Sequence, residues 1–147
     1  MLEELTSVQK DFLARVDKIY EEKMAPYLEE WDTMGGAQVA ARMPVPWLEL
    51  WETFRDNGFT GLRIPKKYGG PELDLFTVGL LIEHACYISQ SGSFSQLFTQ
   101  NDCPTEMLIR VGTEDQRQRY FRRMREGGMG AALSTEPLPG PGVDPGL

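Results

Sequence analysis

The apolar residues of this 147-residue chain recur at three- and four-residue intervals, in short runs cut apart by glycine and proline. Side chains at that spacing share one face of a helix, whereas a half-buried strand would need strict alternation. The pattern therefore demands short amphipathic helices packed on one another. Phe12, Val16, Ile19 and Tyr20 mark a first helix from about Ser7 to Trp31. Pro26 should interrupt it, because proline removes a backbone donor. Asp32 to Met43 reads as a loop. Trp47, Leu50, Trp51 and Phe54 form the stripe of a second helix, which starts near Pro46 and stops at Asn57-Gly58. The run GFTGLRIPKKYGGPELDLF is too rich in glycine and proline for a helix and reads as a turn-rich connector.

Asp74 is placed to cap a third helix, about Leu75 to Ile88, with Val78, Leu81, Ile82 and Ala85 inward. SQSGS breaks the chain before a fourth helix, about Ser93 to Gln100. A short fifth helix spans Pro104 to Val111 and ends at Gly112. Thr113 with Gln116 makes a capping box for a sixth, EDQRQRYFRRMREGG. Its acids come first and its arginines last, which suits the helix dipole; the arginine cluster is most simply a solvated helix end, with phosphate binding the lesser alternative. The expected fold is all-α, a bundle of about six helices.

One segment breaks this rule. Gly130 to Thr135, within GAALSTEP, is small and apolar and reads as the start of a strand. A single strand exposes unpaired backbone groups that a complete sheet would cover. Beyond it, the 11 residues from Pro137 to Leu147 hold four prolines and three glycines, too many to pack a core.

Acids outnumber bases by 22 to 15, for a net charge of -7. That deficit of cations argues against nucleic acid, whose phosphates need a surplus of lysine and arginine. It leaves room for a nucleotide cofactor held by a few local donors. Cys86 and Cys103 are too few and too far apart for a disulfide framework or a zinc site, and their apolar neighbours suggest buried free thiols. MLEELTSVQKDF lacks the basic flank and apolar core of a signal peptide. No apolar run approaches the roughly 20 residues of a membrane helix. The expectation is a cytoplasmic protein with no membrane partner.

Unaided, the residues offer little catalysis. The single histidine, His84, adjoins Glu83 rather than following a glutamate by three, so the carboxylate-bridged di-iron pattern is absent. No glycine-rich phosphate loop occurs, and no metal ligands or catalytic residues are assigned. Ser91, Ser95, Thr99 and Cys103 recur every four residues. On one helix they would form a small-residue face, suited to close helix packing or to a groove for an extended apolar ligand.

Two passages carry a resemblance. RIPKKYGGPELDL is similar to the Ile-Pro-x-x-Tyr-Gly-Gly connector of the acyl-CoA dehydrogenase family. RVGTEDQRQRYFRRMREGGMGAALSTEP resembles that family's passage into its flavin-binding barrel, where a Gly-Thr-x-x-Gln-x-x-x-Tyr helix leads to a strand ending Thr-Glu-Pro. APYLEEWD fits as well, and the matches run in order from about residue 10 to residue 137. Members of the family have an N-terminal helical domain, a middle β-barrel and a C-terminal helical bundle. The resemblance implies that residues 1–128 are the first of these and that 129–147 begin the second.

It also implies a reaction, α,β-dehydrogenation of an acyl thioester, carried by coenzyme A or a carrier protein. The cofactor would be FAD, and an electron-transferring flavoprotein the usual acceptor. Thr135 corresponds to the threonine that bonds the flavin ring, with Ala132, Leu133 and Ser134 along the same edge. Ser95, Thr99 and Cys103 correspond to the wall of the acyl tunnel. The chain departs from the family after Thr-Glu-Pro, where Gly-Ala-Gly-Ser-Asp is usual and LPGPGVD stands instead. The serine that would bond the ligand is replaced, and Pro139 and Pro141 remove donors. The family's catalytic glutamate belongs to the C-terminal bundle and matches nothing in this chain. The 147 residues are therefore expected to be inactive alone, completed by remaining domains or a partner subunit. Two other readings stay open: a helical interaction subunit, and a carrier of acyl groups without redox chemistry.

Overall fold

The computed structural model describes residues 4–27, 47–90 and 92–128. Its α-helices are α1 (Ser7–Ile19), α2 (Trp47–Asp56), α3 (Leu75–Ser89), α4 (Gly92–Thr99), α5 (Asp102–Val111) and α6 (Glu114–Arg125). There is no strand among the described residues, so the all-α expectation holds for them. The expected strand at Gly130 to Thr135 and the loop at 32–43 lie outside the described residues.

Thr6 opens α1 with a reciprocal capping box, its hydroxyl accepting from the Gln9 amide while the Gln9 side chain accepts from the Thr6 amide. Regular α-helix ends at Ile19, earlier than the periodicity predicts. The chain widens into a π turn over Tyr20–Met24 and tightens into a 3₁₀ turn over Ala25–Tyr27. Pro26 accounts for the change. It cannot donate to the carbonyl four residues back, and the Ala25 amide reaches the Tyr20 carbonyl instead. Asp74 caps α3 as expected, accepting from the Thr77 amide at 2.8 Å, and these bonds hold its carboxyl below the ordinary range. The Thr113–Gln116 box opens α6.

The core gathers one face from α1 to α4. Phe12, Val16 and Ile19 meet Leu50, Trp51 and Phe54 from α2, Val78, Leu81 and Ala85 from α3, and Phe94, Leu97 and Phe98 from α4. At its centre Phe54 lies 4.8 Å from Phe98, 5.3 Å from Phe59 and 5.9 Å from Phe94, centroid to centroid. Edge-to-face and tilted contacts of this kind suit aromatic quadrupoles. Polar braces tie α1 down. Gln9 donates to the Thr77 hydroxyl at 3.1 Å, and Arg15 donates to the Asn57 carbonyl at 2.7 Å. His84 Nε2 meets Asp17 Oδ1 at 2.6 Å, which makes His84 a strut between α1 and α3.

The thiols are a correction. Cys86 is only half-buried and Cys103 is exposed. The buried residues of α3 include Leu81, Ala85 and Ser89, and Cys86 sits one step round from Ala85. In α5 the core takes Pro104 and Thr105 and leaves the preceding residue outside. Apolar neighbours in sequence do not bury a residue whose helical phase points away.

Candidate functional site

The connector between α2 and α3 holds a second, smaller cluster. Ile64 is fully buried with Phe121 and Met124 of α6. The Tyr68 ring stands 5.0 Å from that of Phe121, and its hydroxyl donates to Glu114 Oε2 at 2.7 Å. Arg125 donates to the Tyr68 carbonyl at 3.0 Å. The Tyr-Gly-Gly sequence follows from this packing. Gly69 adopts φ +80°, with the Arg125 guanidinium where a side chain would begin, and Gly70 lies against the Ile64 backbone. The motif is thus a clamp on both ends of α6, and α6 delivers the chain to the segment beyond residue 128.

That delivery point is itself pinned. Trp51, buried in α2, donates its indole N–H to the Gly127 carbonyl at 2.5 Å. Asn101, 5% exposed, donates through its side-chain amide to the Thr60 carbonyl at 2.6 Å and the Gly128 carbonyl at 3.2 Å. Asn101 is the N-cap of α5, where asparagine ordinarily accepts from its own helix. Here it makes no such bond and spends its donors on two remote carbonyls. Two carbonyl acceptors also fix which way its amide faces, because the flipped group would set oxygen against oxygen. Gly127, at φ +93°, makes the turn that exposes these carbonyls.

The predicted small-residue face is divided. α4 ends at Thr99 and α5 begins at Asp102, so one helix does not carry Ser95, Thr99 and Cys103 in register. Ser95 is buried beside Phe94, while Thr99 and Cys103 are exposed on either side of Asn101. Ser91, Ala132, Leu133, Ser134 and Thr135 lie outside the described residues. What the structure does bring together is the 99–103 stretch and Gly128, four residues before Ala132, through the Asn101 side chain. The groups expected to meet a flavin fall on residues 132–135, outside the described residues; the described ones pin the backbone as far as Gly128. Sequence reasoning gave neither Trp51 nor Asn101 a part in holding the end of α6. Trp51 appeared as core, and Asn101 had only its place between Thr99 and Cys103 to mark it.

Charge near this stretch is uneven. Burial pushes the Asp102 carboxyl above its ordinary range, Arg63 pulls it back and Glu106 adds to the rise. Arg63 meets Glu106 at 2.8 Å, and hydrogen bonding from Arg110 holds Glu106 low. An open cleft of about 210 Å³ lies between Arg55 and Arg125, with Thr60 on its wall; none of the predicted site residues lines it. Among the described residues no group of histidine, cysteine, aspartate and glutamate could hold a metal, and no helix is long and apolar enough to cross a membrane.

The family model described as acyl-CoA dehydrogenase, N-terminal domain, matches residues 6–128. Among curated proteins, the chain is 30% identical over 127 residues to the long-chain specific acyl-CoA dehydrogenase of Rattus norvegicus, covering 86% of this chain and 27% of the relative. It is 29% identical over 140 residues to 2-methylacyl-CoA dehydrogenase of Solanum tuberosum, covering 95% and 32%. It is 28% identical over 136 residues to isovaleryl-CoA dehydrogenase of the same plant, covering 92% and 31%. The chain thus spans a third or less of the length of these relatives. All three are named as mitochondrial, an address that the cytoplasmic expectation does not share.

Proposed function

The chain belongs to the acyl-CoA dehydrogenase family through its N-terminal domain, and on that premise we propose that it forms the helical part of an FAD-dependent enzyme that dehydrogenates acyl thioesters at the α,β position. Residues 1–128 are the helical domain and 129–147 begin the flavin-binding β-domain. Ser95, Thr99 and Cys103 contribute to the wall of the acyl pocket. Ala132, Leu133, Ser134 and Thr135 lie along the flavin edge, Thr135 bonding the ring. When bound, FAD supplies the hydride acceptor for the β-hydrogen, while a base outside this chain takes the α-proton. The 147 residues alone do not turn over. An electron-transferring flavoprotein is the acceptor of the complete enzyme, and its thioester substrate carries coenzyme A or an acyl carrier.

The observation that supports this reading most is the bond from Asn101 to the Gly128 carbonyl, which ties the stretch assigned to the acyl wall to the chain four residues before those assigned to the flavin. The experiment is anaerobic titration of the complete coding product with saturated acyl-CoAs. Bleaching of a bound flavin is expected. A product that takes up no flavin, or whose flavin no acyl thioester reduces, overturns the reading. The chain of 147 residues, assayed with acyl-CoAs and a dye acceptor, should give no turnover above a protein-free control.

A further inference from the structure

We infer that Trp51 and Asn101 are positioning residues, which fix the place and heading at which the chain leaves α6. The inference rests on the proposed function for its purpose, since the segment so aimed is the one assigned to the flavin edge; the clamp itself rests on geometry. Three features carry it. The two donors come from separate elements, α2 and the turn between α4 and α5, and they take consecutive carbonyls, Gly127 and Gly128. Both donor side chains are buried, which holds each donor in one place although the acceptors, on half-buried Gly127 and exposed Gly128, face solvent in part. Asn101 also forgoes the capping bond its position favours, which a residue serving only α5 would make. Through the Thr60 carbonyl, the same side chain anchors this exit to the turn after α2, which is built on buried Phe59.

The reach of the device is short and definite. The Gly127 amide bonds the Met124 carbonyl at 3.1 Å, and the Gly128 amide bonds the Arg123 carbonyl at 2.7 Å. With the carbonyls of these two residues held, the terminal turn stays closed. Without them only that turn is released, because Phe121 and Met124 still seat α6 on Ile64.

Hydrogen exchange on the 147-residue chain tests this, with Asn101→Leu and Trp51→Phe as variants. Each keeps most of the side-chain volume and removes the donor. Loss of one bond of this kind should speed exchange of the Gly127 and Gly128 amides by about five- to tenfold. The amides of α1 and α3 should be left unchanged, and the double variant should show the larger local effect. If Asn101→Leu fails to fold, Trp51→Phe decides alone, since it keeps an aromatic ring in the core. Exchange that rises equally in every helix, or stays unchanged at Gly127 and Gly128, overturns the inference. That result would leave the flavin reading standing. A complete product without flavin would remove the reading and leave the clamp.

Discussion

The Tyr-Gly-Gly connector makes a quantitative demand on its two glycines, and Gly79 of α3 supplies the contrast. An ideal Cβ on Gly70 would fall 2.0 Å from the Ile64 carbonyl oxygen and 2.5 Å from its Cβ, and neither can swing aside. That carbonyl also accepts from the Glu72 amide at 3.0 Å, so displacing it breaks the turn. A cost of about 3 kcal/mol is expected for Gly70→Ala, the upper part of the range for overpacking. Gly69 differs. Its added Cβ would meet the Arg125 guanidinium at 2.3 Å, the far end of a flexible side chain, but its φ of +80° disfavours any Cβ. Gly69→Ala should cost about 1–2 kcal/mol, mostly backbone strain. Gly79, within α3, has open space around it. Alanine there should stabilise by about 0.5–1 kcal/mol, because the unfolded chain loses freedom and the helix gains a better former. Urea melts followed by circular dichroism read all three as shifts in midpoint at constant slope. The refuting result is an order in which Gly70→Ala costs no more than Gly69→Ala, since a backbone obstacle would then yield as easily as a side chain. A loss of stability in Gly79→Ala would count equally against the free face assigned to α3.

Asp102 gives a pH dependence of unusual sign. Its folded carboxyl titrates above the ordinary value because burial penalises the charge. Between the unfolded and folded values the native state holds the extra proton, so this group's contribution to stability falls as pH rises through that window. Asp102→Asn should therefore be more stable than the parent at neutral pH, with the difference vanishing below the ordinary carboxylate range; melts across pH check it, and an advantage that grows on acidification refutes it. The two thiols should react unequally with a disulfide reagent in the native state, Cys103 before half-buried Cys86. Equal rates, or protection of Cys103, would mean that its surface is covered.

The helices were legible because their signals are local. The box at Thr113–Gln116 and the cap at Asp74 act within one turn. Gly58 and Gly112 mark ends for the same reason. What escaped reading depended on phase or on distance in sequence. The four-residue spacing from Ser91 to Cys103 looks like one face only if one helix runs through it, and the turn before Asp102 resets the phase. The thiols were misjudged by the same error of angle. Pro26 announced an interruption, but not that a π turn would begin six residues earlier, at Tyr20. His84 could not declare its partner, since Asp17 lies 67 residues away. Asn101 is the sharpest case: its role is set by carbonyls at 60 and 128, and a backbone acceptor carries no letter in the sequence.

The connector whose sequence resembles the family's also packs as a clamp: Ile64, Tyr68 and the two glycines hold α6 against the rest of the bundle at its first turn, through Glu114, and at its last, through Arg125. A helix held at both ends delivers its C-terminal residue to a fixed point, and the indole of Trp51 and the amide of Asn101 then take the Gly127 and Gly128 carbonyls. The motif thus bears on where α6 ends, nearly 60 residues further along the chain. Under the proposed function the acyl wall at Ser95, Thr99 and Cys103 must meet an edge supplied by residues after Gly128, and a displacement at residue 128 would carry into every atom of that edge; Asn101, which stands between Thr99 and Cys103, holds the Gly128 carbonyl at 3.2 Å.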